Sequence, residues 1–148
     1  MTTRGLLRLL WQELAAVPEG LLGLEGEASF QPLFHIPEPA DPVIWFLIGA
    51  DSDLAKALPQ ARSAQYLLTG TGRLFAHLTG TLAARHDRQG LEQAWTPRAE
   101  TRVPGGLTDI EWMPLRFAPE KARLWLPGAR PDDPLRHEVE VAFDAWAE

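Results

Sequence analysis

Apolar residues near the start of the chain recur at the spacing of one helical face. They are Leu6, Leu7, Leu10, Trp11 and Leu14. Because side chains three and four positions apart share a face, this pattern predicts an opening amphipathic helix. Pro18 and Gly20 disfavour a helix and are expected to end it.

From residue 21 onward the apolar runs become short, and turn residues separate them, which is typical of strands. The predicted strands are 21–24, 29–36, 43–49, 64–69, 74–85, 111–117 and 122–126. Glu25-Gly26 and the segment 70–73 are predicted hairpin turns. The proline-rich segment 37–42 and the segment 118–121 are predicted connections. Gly80, inside the fifth strand, predicts a bulge or a barrel corner.

Short helices are predicted at 53–58 and at 88–95, and Pro97 is expected to end the second. The segment 98–109 is expected to be a loop. After Pro127 the pattern changes to a polar linker and then to apolar residues at helical spacing, which predict a closing amphipathic helix. These residues are Leu135, Val139, Ala142, Phe143 and Trp146. We therefore divide the chain into a barrel domain with its opening helix, 1–127, and a linker with a closing helix, 128–148.

The predicted fold is mainly β, with six or seven short antiparallel strands in a small barrel or sandwich. A chain of 148 residues with 45% hydrophobic and 23% charged residues is typical of a single globular domain. Its apolar runs are too short to span a bilayer, and its first residues lack an export cleavage site. We expect a cytoplasmic protein that does not enter a membrane.

Charge and residue usage exclude several classes of function. A net charge of −6 without a Lys/Arg cluster disfavours nucleic-acid binding. The absence of cysteine excludes disulfides, thiol catalysis and thiolate metal sites. The histidines, His35, His77, His86 and His137, have no metal-ligand spacing, so no metal is predicted. No serine lies in a Gly-x-Ser-x-Gly turn, so nothing indicates a hydrolase.

The junction between the apolar strand 43–49 and the helix that follows is the first candidate site. Unpaired backbone N–H groups collect at a helix start and favour anions such as phosphate. Ser52 lies at this point, and it has two interpretations: a phosphate contact or a simple helix cap.

Seven short motifs follow one another in a characteristic order. They are Gln31-Pro32, Trp45-Phe-Leu-Ile48, Asp51-Ser52, Leu78-Thr-Gly80, Ala94-Trp-Thr-Pro97, Gly105-Gly-Leu-Thr-Asp109 and Ala122-Arg-Leu-Trp125. With these motifs the chain resembles, from about residue 7 to 125, the general stress protein branch of the pyridoxamine 5'-phosphate oxidase-like split barrels. The resemblance implies an antiparallel split β-barrel, a homodimer, and FMN bound in a groove between the subunits.

The resemblance also implies which positions bind the flavin. They are Gln31, Pro32, Phe46, Leu47, Ile48, Ser52, Leu54, Phe75 and Trp125. The family holds the phosphate with an Arg, a Ser and a Lys, and Gln31 and Leu54 replace the two cations here. Ile48 replaces a Thr, and only Ser52 matches the pattern. Arg62, Arg73 or a residue of a second subunit remain as alternative sources of positive charge.

Two hypotheses of function follow. The first is an FMN-dependent oxidoreductase or flavin reductase-like protein, for which no catalytic residue is assigned. The second is a non-catalytic dimeric barrel that has lost or weakened flavin binding and takes another small ligand or a protein partner. Gln31, Ile48 and Leu54 favour the second hypothesis.

Overall fold

The computed structural model describes residues 2–128, 132 and 136–144. In chain order its elements are α1 (Thr3–Ala16), β1 (Glu19–Leu24), β2 (Gln31–Glu38), β3 (Val43–Gly49), α2 (Asp53–Lys56), β4 (Arg62–Leu68), β5 (Phe75–Ala84), α3 (Gln89–Ala94), α4 (Pro97–Arg102), β6 (Trp112–Leu126) and β7 (His137–Ala142). Among the helices in these ranges, none has the length and apolar character needed to cross a membrane.

The strands form one antiparallel sheet that closes on itself. Its order is β3-β2-β1-β4-β5-β6-β7, and an additional pairing of β3 with β6 closes the first six strands into a barrel. β7 pairs only with β6 in the described part of the chain, so it lies outside the closed ring. The predicted mainly β, antiparallel split barrel is confirmed.

Successive side chains of β3 point to opposite faces of the sheet, so this one apolar strand contributes residues to two hydrophobic clusters. Ile44, Phe46 and Ile48 face the barrel interior. Val43 and Trp45 face outward into a second cluster, which α3 and α4 cover. Because both faces of β3 are buried, the strand is apolar throughout instead of alternating.

β6 is one continuous strand of 15 residues, so the predicted break at 118–121 is wrong. The β5–β6 register shifts between Thr79 and Gly80, as expected for the predicted bulge. Gly80 pairs with Pro119 there, and a Cβ on Gly80 would lie 2.2 Å from the Ala118 carbonyl oxygen. A bulge interrupts the ladder and tolerates a proline, which explains why this Pro does not end the strand.

The predicted closing helix is also wrong, because residues 137–142 form β7. They pair with the segment of β6 between Lys121 and Leu126, which β5 covers on one edge and which β3 does not reach on the other. Val141 and Phe143 are buried two positions apart, at the period of a strand. Leu135 and Trp146 lie outside the described residues.

The structure differs from the sequence prediction at two further element boundaries. Pro97 begins a helix instead of only ending one, because Thr96 caps α4 by accepting a hydrogen bond from the Ala99 N–H (3.1 Å). Residues 97–102 are therefore helical and not loop. β2 extends to Glu38, so the connection to β3 is shorter than the predicted 37–42.

Gly80→Ala should destabilise the protein strongly. The added Cβ meets the backbone of β6, which has no room to move without disturbing the barrel, and such overpacking costs about 1–3 kcal/mol. The matched control is Gly49→Ala, whose Cβ would have its nearest neighbour at 3.5 Å. Urea denaturation should give a lower free energy of unfolding for Gly80→Ala than for Gly49→Ala. Equal values would contradict the close approach at the bulge.

Candidate functional site

The structure brings two of the predicted binding positions, Gln31 and Leu54, into one cavity. It has a volume of about 330 Å³ and lies between the start of β2 and helix α2; we call it the β2–α2 cavity. Its apolar part is formed by Leu22, Leu24 and Leu54. The sequence resemblance had placed the phosphate-binding Arg and Lys at these two positions, 31 and 54.

The charged groups of the β2–α2 cavity are acidic. Glu27 and Asp53 both line it, and among the described lining residues none is Lys or Arg. Arg62 lies next to the cavity, but its guanidinium forms a 2.9 Å ion pair with Glu27. A phosphate group placed here would face the Asp53 carboxylate without a cation in the lining.

The other cations considered from the sequence lie elsewhere. Lys56 is two residues after Leu54, which is about 200° around a helix axis, and it does not line the cavity. Arg73 follows the far end of β4, roughly 20 Å along the strand from Arg62. Within this subunit, the residues present do not fit an FMN phosphate.

Ser52 is a helix cap. Its backbone is extended, and its Oγ accepts a hydrogen bond from the Ala55 N–H at 3.3 Å. The helix that it caps has only 4 residues, and Ser52 does not line the β2–α2 cavity. The capping interpretation is therefore the one that this structure supports.

The predicted ring-binding residues of β3 lie on different faces. Phe46 and Ile48 point into the barrel core, with 0% and 5% of their surface exposed. Phe46 packs edge-on against Tyr66, with ring centroids 4.9 Å apart. Leu47 faces outward beneath the loop at Gly106. A ligand on the outer wall reaches Phe46 and Ile48 only through their backbone.

Phe75 and Trp125 lie on the outer wall, away from the β2–α2 cavity. They are paired residues of β5 and β6, and the Arg136 guanidinium lies 4.4 Å from the centroid of the Phe75 ring. Neither residue lines the cavity that contains Gln31. The described residues of this chain do not gather the predicted flavin positions into a single pocket.

Part of the outer wall is not covered by the described helices. Pro32, Leu21, Leu67 and His77 are successive register partners across four strands, and they face away from the core. Leu21 is 41% exposed. We call this row the open face. The ring of His77 forms a 2.7 Å hydrogen bond with the side chain of Gln65, also on the outer wall.

A buried histidine was not singled out by the sequence patterns. His35 is 3% exposed, and its Nε2 lies 2.7 Å from the Leu14 carbonyl oxygen. Because a carbonyl only accepts, Nε2 carries the proton, and Nδ1 accepts from the Tyr66 hydroxyl at 2.5 Å. Burial lowers the pKa of His35, partly opposed by the backbone carbonyls of Leu14 and Val17. Burial also raises the pKa of Tyr66.

The family model described as pyridoxamine 5'-phosphate oxidase like matches residues 7–131. The chain belongs to this family. Within the pyridoxamine 5'-phosphate oxidase-like proteins it is similar to members of the general stress branch. No curated protein matches it significantly.

Three solved structures illustrate the similarity. A protein of Jannaschia sp. CCS1 assigned as general stress protein 26 is 26% identical, with 94% of this chain and 99% of that chain covered and a TM-score of 0.75. A general stress family protein of Xanthomonas campestris pv. campestris is 25% identical, with coverage of 93% and 97% and a TM-score of 0.76. The general stress FMN/FAD binding protein of Xanthomonas citri is 25% identical, with coverage of 90% and 97% and a TM-score of 0.73.

Across the described residues, no three His, Asp or Glu side chains come together in a group that could hold a metal ion.

Stability should fall in acid because of His35. Its pKa is lowered in the folded state, so the unfolded chain binds the proton more readily once the pH falls below about 6.5. The free energy of unfolding can fall by at most about 1.4 kcal/mol for each pH unit through this one group. Urea denaturation between pH 8 and pH 5 should show a steeper loss for the wild type than for His35→Gln, which keeps a donor for Leu14. Parallel pH profiles would contradict a neutral buried imidazole.

Proposed function

We propose that this protein is a dimeric, small-molecule-binding split barrel of the general stress branch that does not anchor its ligand through a phosphate group. The proposal rests on the composition of the β2–α2 cavity. Gln31 and Leu54 line it together with the carboxylates of Glu27 and Asp53, and its described lining contains no Lys or Arg. This is the second of the two hypotheses drawn from the sequence.

A phosphate group in the β2–α2 cavity would lack the two cations that the family pattern provides. Each charge-assisted hydrogen bond contributes about 1.5–3 kcal/mol, so two missing cations correspond to roughly 3–6 kcal/mol. That is a hundred- to ten-thousand-fold in affinity. The carboxylate of Asp53 adds repulsion, on the order of 1–4 kcal/mol for unit charges 4 Å apart at a wetted surface.

Dimerisation is proposed through the open face. Its Leu21, Pro32 and Leu67 form an apolar row on the barrel, whereas the opposite outer wall, at Trp45, is covered by α3 and α4. A second copy packed on this row would remove the exposed leucine surface from water. A groove between two subunits would also bring Phe75 and Trp125 of one copy closer to the cavity of the other.

A second candidate function is a flavin-dependent oxidoreductase. It is favoured by the similarity to the Xanthomonas citri protein that binds FMN or FAD, at 25% identity over 90% of this chain. In this case the affinity must come from contacts with the ring system and the sugar chain. The flavin would carry the electrons, and the protein would orient it.

Riboflavin and FMN separate these alternatives because they differ only by the phosphate. We expect FMN to bind no more tightly than riboflavin, measured by quenching of flavin fluorescence at low salt. FMN binding at least tenfold tighter than riboflavin would overturn the loss of the phosphate anchor. Failure of both flavins to bind would support a non-flavin ligand and exclude the oxidoreductase.

Gln31→Arg combined with Leu54→Lys should restore the anchor. We expect at least a tenfold gain in FMN affinity, no gain for riboflavin, and a gain that shrinks as salt is raised. The matched control is Gln12→Arg with Gln60→Lys, which adds the same charge at exposed positions outside the cavity. An equal gain in the control would indicate only a general effect of net charge.

The dimer is tested by sedimentation. We expect a dimer at micromolar concentration and a monomer for Leu21→Glu with Leu67→Glu, since two buried carboxylates would disrupt an apolar interface. The control is Gln93→Glu, an exposed position on α3 away from the open face. A wild-type monomer, or a double variant that stays dimeric, would contradict the proposed interface.

A further inference from the structure

A second cavity lies on the other half of β2. It has a volume of about 320 Å³ and is enclosed by α1, the later residues of β2 and the start of α4; we call it the α1–α4 cavity. Its wall is mainly apolar, formed by Trp11, Leu14, Val17, Phe34, Ile36 and Pro37. Water gains few hydrogen bonds in such a space, so an apolar group is the favoured occupant.

The charge at the α1–α4 cavity is positive. Arg98 is the charged side chain among its described lining residues, and no carboxylate is among them. Nη1 of Arg98 donates a 2.9 Å hydrogen bond to the Ala15 carbonyl oxygen at the end of α1. A guanidinium has five N–H donors, so this bond leaves donors for an anion. The guanidinium is also exposed, so its charge is accessible from solvent.

The polar groups at the cavity floor are already engaged. His35 lines the cavity, but its two ring nitrogens are hydrogen-bonded to Leu14 and Tyr66. The ring therefore contributes a neutral surface, and Arg98 is the charged side chain that lines the cavity. The nearby Glu19 is paired with Arg102, so this pair adds little net charge.

We propose that the α1–α4 cavity binds a small amphipathic carboxylate, with its apolar body against the half-buried Phe34 and Val17 and its carboxylate paired with Arg98. A single guanidinium matches a monoanion, and planar carboxylates pair with it through two parallel hydrogen bonds. At about 30 Å³ for each water-sized group, the cavity admits roughly ten non-hydrogen atoms. This site is separate from the β2–α2 cavity, and it does not rest on the proposed function.

The proposal is tested with three probes that share one apolar chain and differ in the head group: octanoate, octanol and octylamine. Calorimetric titration of the full chain should give at least tenfold tighter binding of octanoate than of either other probe. The preference should weaken as salt is raised. Equal affinities for octanoate and octanol would overturn the role of Arg98.

Variants locate the site. Arg98→Gln should remove the preference for octanoate, whereas Arg98→Lys, which keeps the charge, should retain part of it. The matched control is Arg123→Gln on β6, where the half-exposed side chain pairs with Glu138 and does not line the cavity. This control should bind octanoate like the wild type. Loss of the preference in Arg123→Gln, or its survival in Arg98→Gln, would contradict the assignment.

A filling variant tests the apolar part. Ala15 lines the cavity from the exposed side of α1, so Ala15→Phe should occupy the space while leaving the core intact. Both octanoate and octanol should then lose at least tenfold in affinity. Unchanged binding would mean that the probes bind at another surface, and the proposal would fail.

Discussion

The pairing of β3 with β6 closes the sheet, and the rest of the structure depends on it. β6 pairs with β3 through its first residues and with β5 along most of its length, so it must bend without losing its continuity. Gly80 and Pro119 permit this bend, the first because it has no Cβ and the second because the bulge tolerates a residue without a backbone N–H. Closure places Phe46, Tyr66 and Phe117 in one interior, each of them with 0% exposure.

Closure of the barrel also determines where ligands can bind. Since the interior is filled by side chains, ligands must bind on the outer wall, and two of its cavities lie where helices meet it. The two described here lie on either half of β2 and have opposite charge: Glu27 and Asp53 line one, and Arg98 lines the other. The β2–α2 cavity is therefore acidic and the α1–α4 cavity is basic, and each favours ligands of the opposite charge.

The β2–α2 cavity contains the two positions at which the sequence resemblance implies the family's phosphate-binding cations. Gln31 and Leu54 occupy these positions in this chain, and the charged residues among the described lining are Glu27 and Asp53. Similarity to a flavin-binding relative thus supports the barrel more strongly than it supports the cofactor.

The sequence by itself determined the features that rest on local physics. These are the period of α1, the apolar run of β3, the irregularity at Gly80, and the motif order that indicates the family. Only the tertiary structure decided the others. Ser52 had two interpretations, and the hydrogen bond from the Ala55 N–H identified it as a helix cap. Residues 139–142 were predicted to be helical, but they pair with the free edge of β6 and form a strand. His35 became a buried hydrogen-bonding group, and Glu27 met Asp53 in one cavity, because strand pairing brings together residues that no local pattern connects.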